Sequence, residues 1–524
     1  MNRNLRLSAP NNHTTLIAIF IIVIGSLVRV IGLGQIPSGL NQDEAFAAYE
    51  AFSLLNYGVD SAGNPFPTYF VSWGSGMNVL QSYLAIPFMR LFGYSETVYR
   101  LPSLLCGIAT LPVFWLLLKR LFGNKISLIG LGILSISPWH IMLSRWGLES
   151  NLAPAFLLFG IYFLIKGITQ NGYFLLSALF FGISLYAYSI TWITVPLILI
   201  VFGVYIIKIS PKIKIRYVIG ACTILLCFAL PHILFLLVNH NVIPEIKTSF
   251  FTIPKMVYMR DTEISLLNIF NPNSWGNLFR ILFLQYDNIN SNSFAFFGMF
   301  YHISLPFFVI GFFGLIRQVK YDFKSKKLSG AYFMLSGFLV YVIVSLTIDN
   351  LNINKSNGMH LFTLAIISFG IYSVLNFAKY KRLAFSAVCL AFTLCFLTFC
   401  GYYFWYSEKN ISTTFGGELN KAVELVNEKN CKKIAADRSI YHSQILYYDK
   451  TPQRIFEGTV KYEIYPSPYL KATSFGKYTF ISEYNRLDNY DAYIFPHDHL
   501  CFFSEDEFEI IVFKKYAVAI RKDD

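Results

Sequence analysis

Charge is what this sequence lacks. Only 14% of its 524 residues are Asp, Glu, Lys or Arg, against about a quarter in an average soluble domain. That shortage excludes a string of ordinary soluble domains. Cysteine is also sparse, at 8 residues, so the chain is no disulfide scaffold. It has no internal repeat and no low-complexity tract, which excludes solenoids and fibrous chains. What it has instead is apolar: 55% hydrophobic and 18% aromatic. That is too much apolar surface for a disordered chain, and a polytopic α-helical membrane protein remains.

The few charges are unevenly spread. Residues 1–401 hold 27 Lys and Arg and 12 Asp and Glu. Residues 402–524 hold 16 and 18. The reading is therefore a membrane body over 1–401 and a soluble, outward-facing tail over 402–524. The formal net charge of +13 belongs to the body. Basic membrane loops account for it, and no basic-aromatic patch points to nucleic acid.

A helix that crosses a bilayer needs about 20 mainly apolar residues. Runs of that kind predict eleven spans, near 14–33, 100–118, 126–143, 151–166, 172–190, 191–208, 217–238, 301–316, 330–347, 358–377 and 383–401. The first is too long for a signal-peptide core and lacks a small-residue cleavage site, so it reads as an anchor. Residues 77–92, MNVLQSYLAIPFMRLF, are ambiguous. Counting them as a span would turn most basic clusters outward, against the positive-inside rule. They read instead as a surface or re-entrant helix. With that choice, 18 of the body's 27 basic residues lie inside, and of its acids only Asp322 does. The N-terminus is then cytoplasmic, in a plasma-membrane protein. The large outer loops are 34–99 and 239–300, and the tail is extracytoplasmic. In the tail, GGELNKAVELVNEKN reads as a helix. KIAADR, QILYYD, YTFISEY, DAYIFP and EIIVFKKYAVAI read as strands, which predicts a small α/β domain.

The outer face gathers the acids. Asp43 and Glu44 follow the first span, in GLNQDEAFAAYEAF. Adjacent side chains on a helix diverge, so one can face a site while the other pairs or caps. A carboxylate here is placed to deprotonate a hydroxyl arriving from outside; the competing reading of Asp43 is a helix cap. Arg100 opens the second span. Arg145 and Glu149 follow the third, in SPWHIMLSRWGLESN. Charges at a membrane boundary often only snorkel. Converging arginines and carboxylates instead suit an anionic phosphate beside a neutral nucleophile.

These motifs resemble the GT-C superfamily of polyprenyl-phosphate-sugar-dependent glycosyltransferases. Within it, the chain resembles the glycosyltransferase 39 or protein O-mannosyltransferase-like group and the lipid A aminoarabinose transferases. The resemblance rests on DEAFAAYEAFSLLNYGVD, WGSGMNVLQSYLAIPF, ETVYRLPSLLCGIATLPVFWLLLKRLFG, SPWHIMLSRWGLESN, QYDNINSNSFAFFGMFYHISLPFFVIGFFGLI and NINKSNGMHLFTLAIISFGIYSVL. It implies that Asp43 is the catalytic base, with Glu44 beside it. It makes Arg100 an active-site arginine and sets Glu149 where relatives often carry Asp. Arg100, Arg145, Arg260 and Lys355 are then candidates for the donor phosphate. Two departures stand out. WGSGMNVLQSY replaces the H-P-P-L-x-K of protein O-mannosyltransferases, and no lumenal carbohydrate-binding-like domain follows. The E-K-P motif of the aminoarabinose transferases is also missing, which counts against lipid A.

The implied partners are a polyprenyl-phosphate-linked sugar, membrane lipids and an acceptor protein, glycan or glycolipid. A divalent metal is compatible with the sequence and not required by it. Asp287 and Asn292, in QYDNINSN, are candidate acceptor or donor contacts, with turn chemistry as the alternative. His140 reads as a satisfied polar group within a helix. His497 and His499, in FPHDHL, fall short of a metal ligand set, and Cys431 and Cys501 leave a tail disulfide open. The competing functions are a lipid-linked sugar transporter or flippase and a non-catalytic scaffold. A transporter favours mid-membrane charge and internal repeats, and a scaffold needs no convergence of Asp43, Glu44 and Arg100.

Overall fold

The computed structural model describes residues 12–209, 213–259, 263–325, 328–407, 411, 414–484 and 489–522. Its first ten helices are α1 Asn12–Val30, α2 Gln42–Tyr57, α3 Leu80–Phe92, α4 Glu96–Phe122, α5 Asn124–Ile136, α6 Pro138–Leu143, α7 Ala153–Gly167, α8 Tyr173–Ser184, α9 Thr191–Ile209 and α10 Ile215–Asn239. After the short hairpin β1 Ile246–Lys247 and β2 Thr252–Ile253 come α11 Pro272–Phe279, α12 Leu305–Lys324, α13 Gly330–Leu346, α14 Met359–Phe377 and α15 Lys381–Gly401. The tail contains β3 Ile434–Asp437, β4 Lys461–Tyr462, β5 Ala472–Phe475, β6 Tyr478–Ile481, β7 Ala492–Pro496, β8 Phe508–Val512 and β9 Tyr516–Arg521. Its helices are α16 Leu419–Glu428, α17 His442–Asp449 and α18 Gln453–Thr459.

Among the described residues, eight helices are long and apolar enough to cross a bilayer: α1, α4, α7, α9, α10, α12, α14 and α15. The shorter apolar helices α5, α8 and α13 occupy the other three expected positions. The third expected span breaks at Pro138, which has no N–H to donate and starts α6 as a separate helix. Residues 80–92 form a helix of 13 residues that stops at Gly93, too short to cross untilted. The protein is thus a multi-pass membrane protein with a C-terminal sheet domain.

Several loops expected on the cytoplasmic side gather at one end. Arg120 bonds Thr169, the Lys214 amide donates to Asn171 (2.9 Å), and the Ser329 amide donates to Tyr205 (2.9 Å). At the other end sits the tail. Its sheet runs β4-β5-β6-β3-β7-β9-β8, with β3 parallel to β6 and β7 and the other pairs antiparallel. One expected strand, QILYYD, is the helix α17. Short apolar runs do not separate helix from strand by periodicity alone. Here Gln444 reaches back to the Tyr441 amide at 3.3 Å, and His442, Ile445 and Leu446 are buried.

The tail shares one core with the first outer segment. Phe46, Tyr49 and Trp73 cluster with Val423, Ile434, Leu446 and Phe475. Trp73 stacks on Tyr469 with centroids 4.5 Å apart. Hydrogen bonds run from Tyr49 Oη to the Thr451 carbonyl (2.8 Å), from Gln444 to the Leu40 carbonyl (2.7 Å) and from Ser443 to the Gln42 carbonyl (2.8 Å). Cys431 and Cys501 are both free thiols.

Candidate functional site

The site is built around the start of α2. Asn41 caps it by accepting from the Asp43 amide at 3.0 Å. Asp43 and Glu44 fill the first turn, where carboxylates complement the exposed N–H groups. Glu44 points inward and is fully buried. It accepts from Arg100 Nε at 2.7 Å and Nη2 at 2.8 Å, and from the Gly147 amide at 2.6 Å. Arg100 also donates to the carbonyls of Pro37 (2.7 Å) and Gly39 (2.6 Å). The pair thereby clamps the start of α2 to α4 and to the loop after α6. Asp43, about 100° further back around the helix, is half-buried on a different face.

Arg145 has a different task from the one expected of it. It is buried, and all its donors meet the carbonyls of Val28, Arg29, Ile31, Gly32 and Ile36 at 2.7–3.2 Å. It closes the C-terminal end of α1, whose last carbonyls have no helical partner. No donor is left over for a phosphate. His140 Nδ1 accepts from Arg29 at 2.8 Å, which satisfies it inside the bundle.

Helices α2 and α3 run side by side in one direction. Ser82 donates to the Ala47 carbonyl at 2.7 Å, and Asn56 meets Tyr94 at 2.7 Å one end further on. Asn78 lies just before the start of α3, and Asp43 in the first turn of α2. Asn78 is 1% exposed and is held by Glu149: its backbone N–H donates to Oε2, and its side-chain amide does so at 2.9 Å. The segment before it, Trp73-Gly-Ser-Gly-Met, needs glycine. Gly76 has φ +96°, and a Cβ there would lie 2.2 Å from the Tyr69 ring.

Behind Glu149, Asn357 reaches Ser150 at 3.4 Å and accepts from Trp139 Nε1 at 2.9 Å. That brings the turn carrying Lys355 against the turn carrying Glu149. Lys355 Nζ lies 3.6 Å from Glu263 and 3.3 Å from the Asp349 carbonyl. Arg260 lies outside the described residues. Asp287 accepts from the Ile353 amide (2.9 Å), the Asn292 side chain (2.8 Å) and the Ile289 amide (3.0 Å). Asp287 and Asn292 therefore stitch the second outer segment to the Lys355 hairpin.

Sequence reasoning passes over Asn78, Tyr441 and Glu50, and reads Tyr188, with Tyr186 and Trp192, as an interface aromatic and not a sugar platform. Asn78 sits in a segment that carries the family resemblance while departing from the mannosyltransferase motif, and no role is read for it there. Tyr188 lies within electrostatic reach of Glu149, Tyr69, Glu263 and Asp43. Tyr441, from the tail, is pushed up by burial and then by the Asp43 carboxylate. Glu50 is buried beside Asp60. Burial and the neighbouring charge hold the Glu50 carboxyl well above its usual range, against hydrogen bonds from Ser61 (2.7 Å) and Ser72 (3.0 Å).

Among the described residues no three His, Cys, Asp or Glu side chains form a metal-sized group. His497 bonds the Phe513 carbonyl, while His499 lies 3.1 Å from Asp437.

Comparison with known proteins bears on the fold. The family model described as dolichyl-phosphate-mannose-protein mannosyltransferase matches residues 79–235. No curated protein matches the chain. Among solved structures, ArnT from Cupriavidus metallidurans in the apo state is 10% identical. The match covers 97% of this chain and 98% of that one, with a TM-score of 0.55. The same protein bound to undecaprenyl phosphate is 11% identical over 98% of both chains, at 0.54. The Archaeoglobus fulgidus oligosaccharyltransferase with zinc and sulfate is 12% identical, over 82% of this chain and 61% of that one, at 0.50. The fold is that of the GT-C glycosyltransferases. Within that class the chain resembles the protein mannosyltransferases and ArnT.

Proposed function

We propose that this chain is an integral-membrane glycosyltransferase. It moves a sugar, mannose or another hexose or pentose, from a polyprenyl-phosphate carrier to an acceptor hydroxyl on the outer face of the plasma membrane. The observation that carries this reading is the start of α2. Glu44 is locked onto Arg100 and Gly147, while Asp43 is half-buried on another face of α2, whose start is held against the tail helix α17 by the Ser443–Gln42 and Gln444–Leu40 hydrogen bonds. The family description names a dolichyl-phosphate sugar, and ArnT was solved with undecaprenyl phosphate; both support a polyprenyl-phosphate donor.

In the proposed step the acceptor oxygen attacks the anomeric carbon as its proton passes to an Asp43 carboxylate oxygen. The bond from that carbon to the phosphate oxygen breaks, and the lipid phosphate leaves with the electron pair. A single displacement inverts the anomeric centre. Lys355 and Arg260 are the cations proposed for the leaving phosphate. Glu44 and Arg100 act through position, by fixing the helix that carries Asp43. Glu149 acts in the same way on Asn78.

The test is transfer from a radiolabelled undecaprenyl-phosphate hexose by the purified full chain. Removing a general base typically costs about 10²–10⁴-fold, so Asp43→Asn is expected to lose activity on that scale while folding normally. Undiminished transfer would take Asp43 out of the base role.

A further inference from the structure

The second outer segment carries an apolar surface that the helix bundle leaves uncovered. Residues 264–284, ISLLNIFNPNSWGNLFRILFL, hold a single charge, Arg280. Leu266 and Leu267 are each 75% exposed, Phe270 is 84% and Trp275 53% exposed. The segment forms a 3-10 turn over Leu266–Phe270, then α11, which continues as a π turn over Arg280–Leu284. The 8 residues of α11 and the 5 of the π turn together reach about 20 Å. A hydrocarbon core is about 30 Å thick, so this element does not cross it.

Side chains three or four apart share a face of a helix, and this element has three faces. Ser274, Leu278 and Ile281 are buried. Leu278 and Ile281 belong to the bundle core, with Phe308 of α12 and Val344 of α13. Trp275, Phe279 and Phe283 form a second stripe, and Phe279 stacks on Phe283 with centroids 4.8 Å apart. Asn273, Asn277 and Arg280 form the third. One face meets protein, one is aromatic and one is polar, which is the division of a helix lying in the plane of a membrane surface. Its neighbours fix its level. The Ser265 amide and the Asn268 side chain donate to the Thr347 carbonyl, at 2.9 and 3.0 Å, just past α13. Phe283 meets Phe308 edge-on at 6.3 Å, in the first turn of α12. From there the exposed apolar surface continues along both helices, through Phe313 of α12 and Ile343 of α13. At the same end, Trp405 and Tyr406 after α15 are exposed, aromatics of the kind that mark a headgroup boundary.

We propose that residues 264–284 are an interfacial element seated in the phospholipid leaflet beside the tail. Leu266, Leu267, Phe270 and the Trp275–Phe279–Phe283 stripe enter the acyl boundary. Arg280, half-buried at the polar edge, runs its stem along the apolar surface and sets its guanidinium among the lipid phosphates. The occupant is the bilayer because the uncovered face is continuous with the lipid-facing sides of α12 and α13. The element ends at Gln285, whose Oε1 accepts from the Phe300 amide at 2.8 Å, and at Asp287, which accepts from the Ile353 amide at 2.9 Å. Seated this way, it holds the Asp287 turn and the Lys355 hairpin at headgroup level. The placement is independent of the reaction, and its test reads no turnover.

The experiment uses tryptophan fluorescence of the full chain in phosphatidylcholine nanodiscs. Two reporters are read by difference. Wild type minus Trp275→Phe isolates the Trp275 emission; the variant keeps an apolar ring and gives up one bond to the Ile269 carbonyl. Phe270→Trp minus wild type isolates an added emission at an exposed position where no packing is disturbed. Each is measured with lipid brominated near the headgroup, with lipid brominated near the chain ends, and with aqueous iodide. A ring seated about 5–10 Å into the boundary is expected to lose roughly half its emission to the shallow bromines, less to the deep ones, and little to iodide. Quenching of both reporters by iodide and by neither bromolipid overturns the proposal, since the face is then in water. Protection from iodide only in discs that hold two chains also overturns it, because a second copy is then the cover.

Discussion

The Glu44 carboxylate and the Arg100 guanidinium meet through two hydrogen bonds of 2.7 and 2.8 Å, and both side chains are fully buried. Residues 56 positions apart in sequence are thereby held as one unit. The pair also has the Gly147 amide and the carbonyls of Pro37 and Gly39 as partners, so few of its polar atoms lack a bond. Breaking a buried pair by removing one partner costs about 3–5 kcal/mol. Arg100→Ala is expected to destabilise the protein on that scale and to lower kcat with it. Glu44→Gln, which keeps the shape and one acceptor, is expected to cost less. Thermal unfolding in detergent ranks the variants, and an Arg100→Ala protein as stable as wild type would remove the clamp from the account.

Arg145 predicts a stability effect without a donor effect. Its five donors close the end of α1. Lysine has three donors and no fork, so Arg145→Lys leaves buried carbonyls unsatisfied at about 1–3 kcal/mol each. The expected outcome is a lower Tm with the donor KM unchanged. A raised donor KM at unchanged Tm would return Arg145 to the phosphate.

Glu50 predicts a pH dependence. Its carboxyl is raised from an ordinary 4.5 to about 8, by burial first and then by Asp60. Between those values the unfolded chain has released the proton and the folded chain retains it. Stability is therefore full below about pH 4.5 and falls as pH rises towards 8. Glu50→Gln, which cannot ionise, is expected to flatten that fall. Unfolding curves at pH 5, 6, 7 and 8 check it, and parallel slopes in wild type and variant would refute it.

The sidedness of the membrane body makes its own prediction. A reporter fused after residue 96 is expected to read outside, and one fused after residue 122 inside. The reverse pattern would mean that residues 77–92 cross the bilayer.

Much of the architecture was legible in the sequence, because a bilayer imposes a length and a composition on anything that crosses it. The long apolar helices announce themselves, and so does the change of composition at the tail. Residues 77–92 yield the helix Leu80–Phe92, and its relation to the bilayer is what the reporter fusions test. Glu44 and Arg100 could be picked out as charges at a boundary. Their chemistry could not, since whether an arginine meets a phosphate, a carboxylate or five carbonyls depends on what packs around it. Arg100 and Arg145 look alike in sequence and differ entirely in partners. QILYYD was misread because its burial comes from α2, some 400 residues earlier.

The sequence by itself determined the membrane-spanning body, the separate composition of the tail, and the concentration of scarce acids near the start of α2. These are local properties, set by apolar length and by the cost of charge in hydrocarbon. Tertiary structure decided that Glu44 is locked onto Arg100 and Gly147 and that Asp43 lies half-buried on another face of α2. It also decided that the turn after Tyr441, from the far end of the chain, is held against the start of α2. Those outcomes depend on packing between segments far apart in sequence, where burial leaves each polar group either satisfied by a partner or available to a ligand.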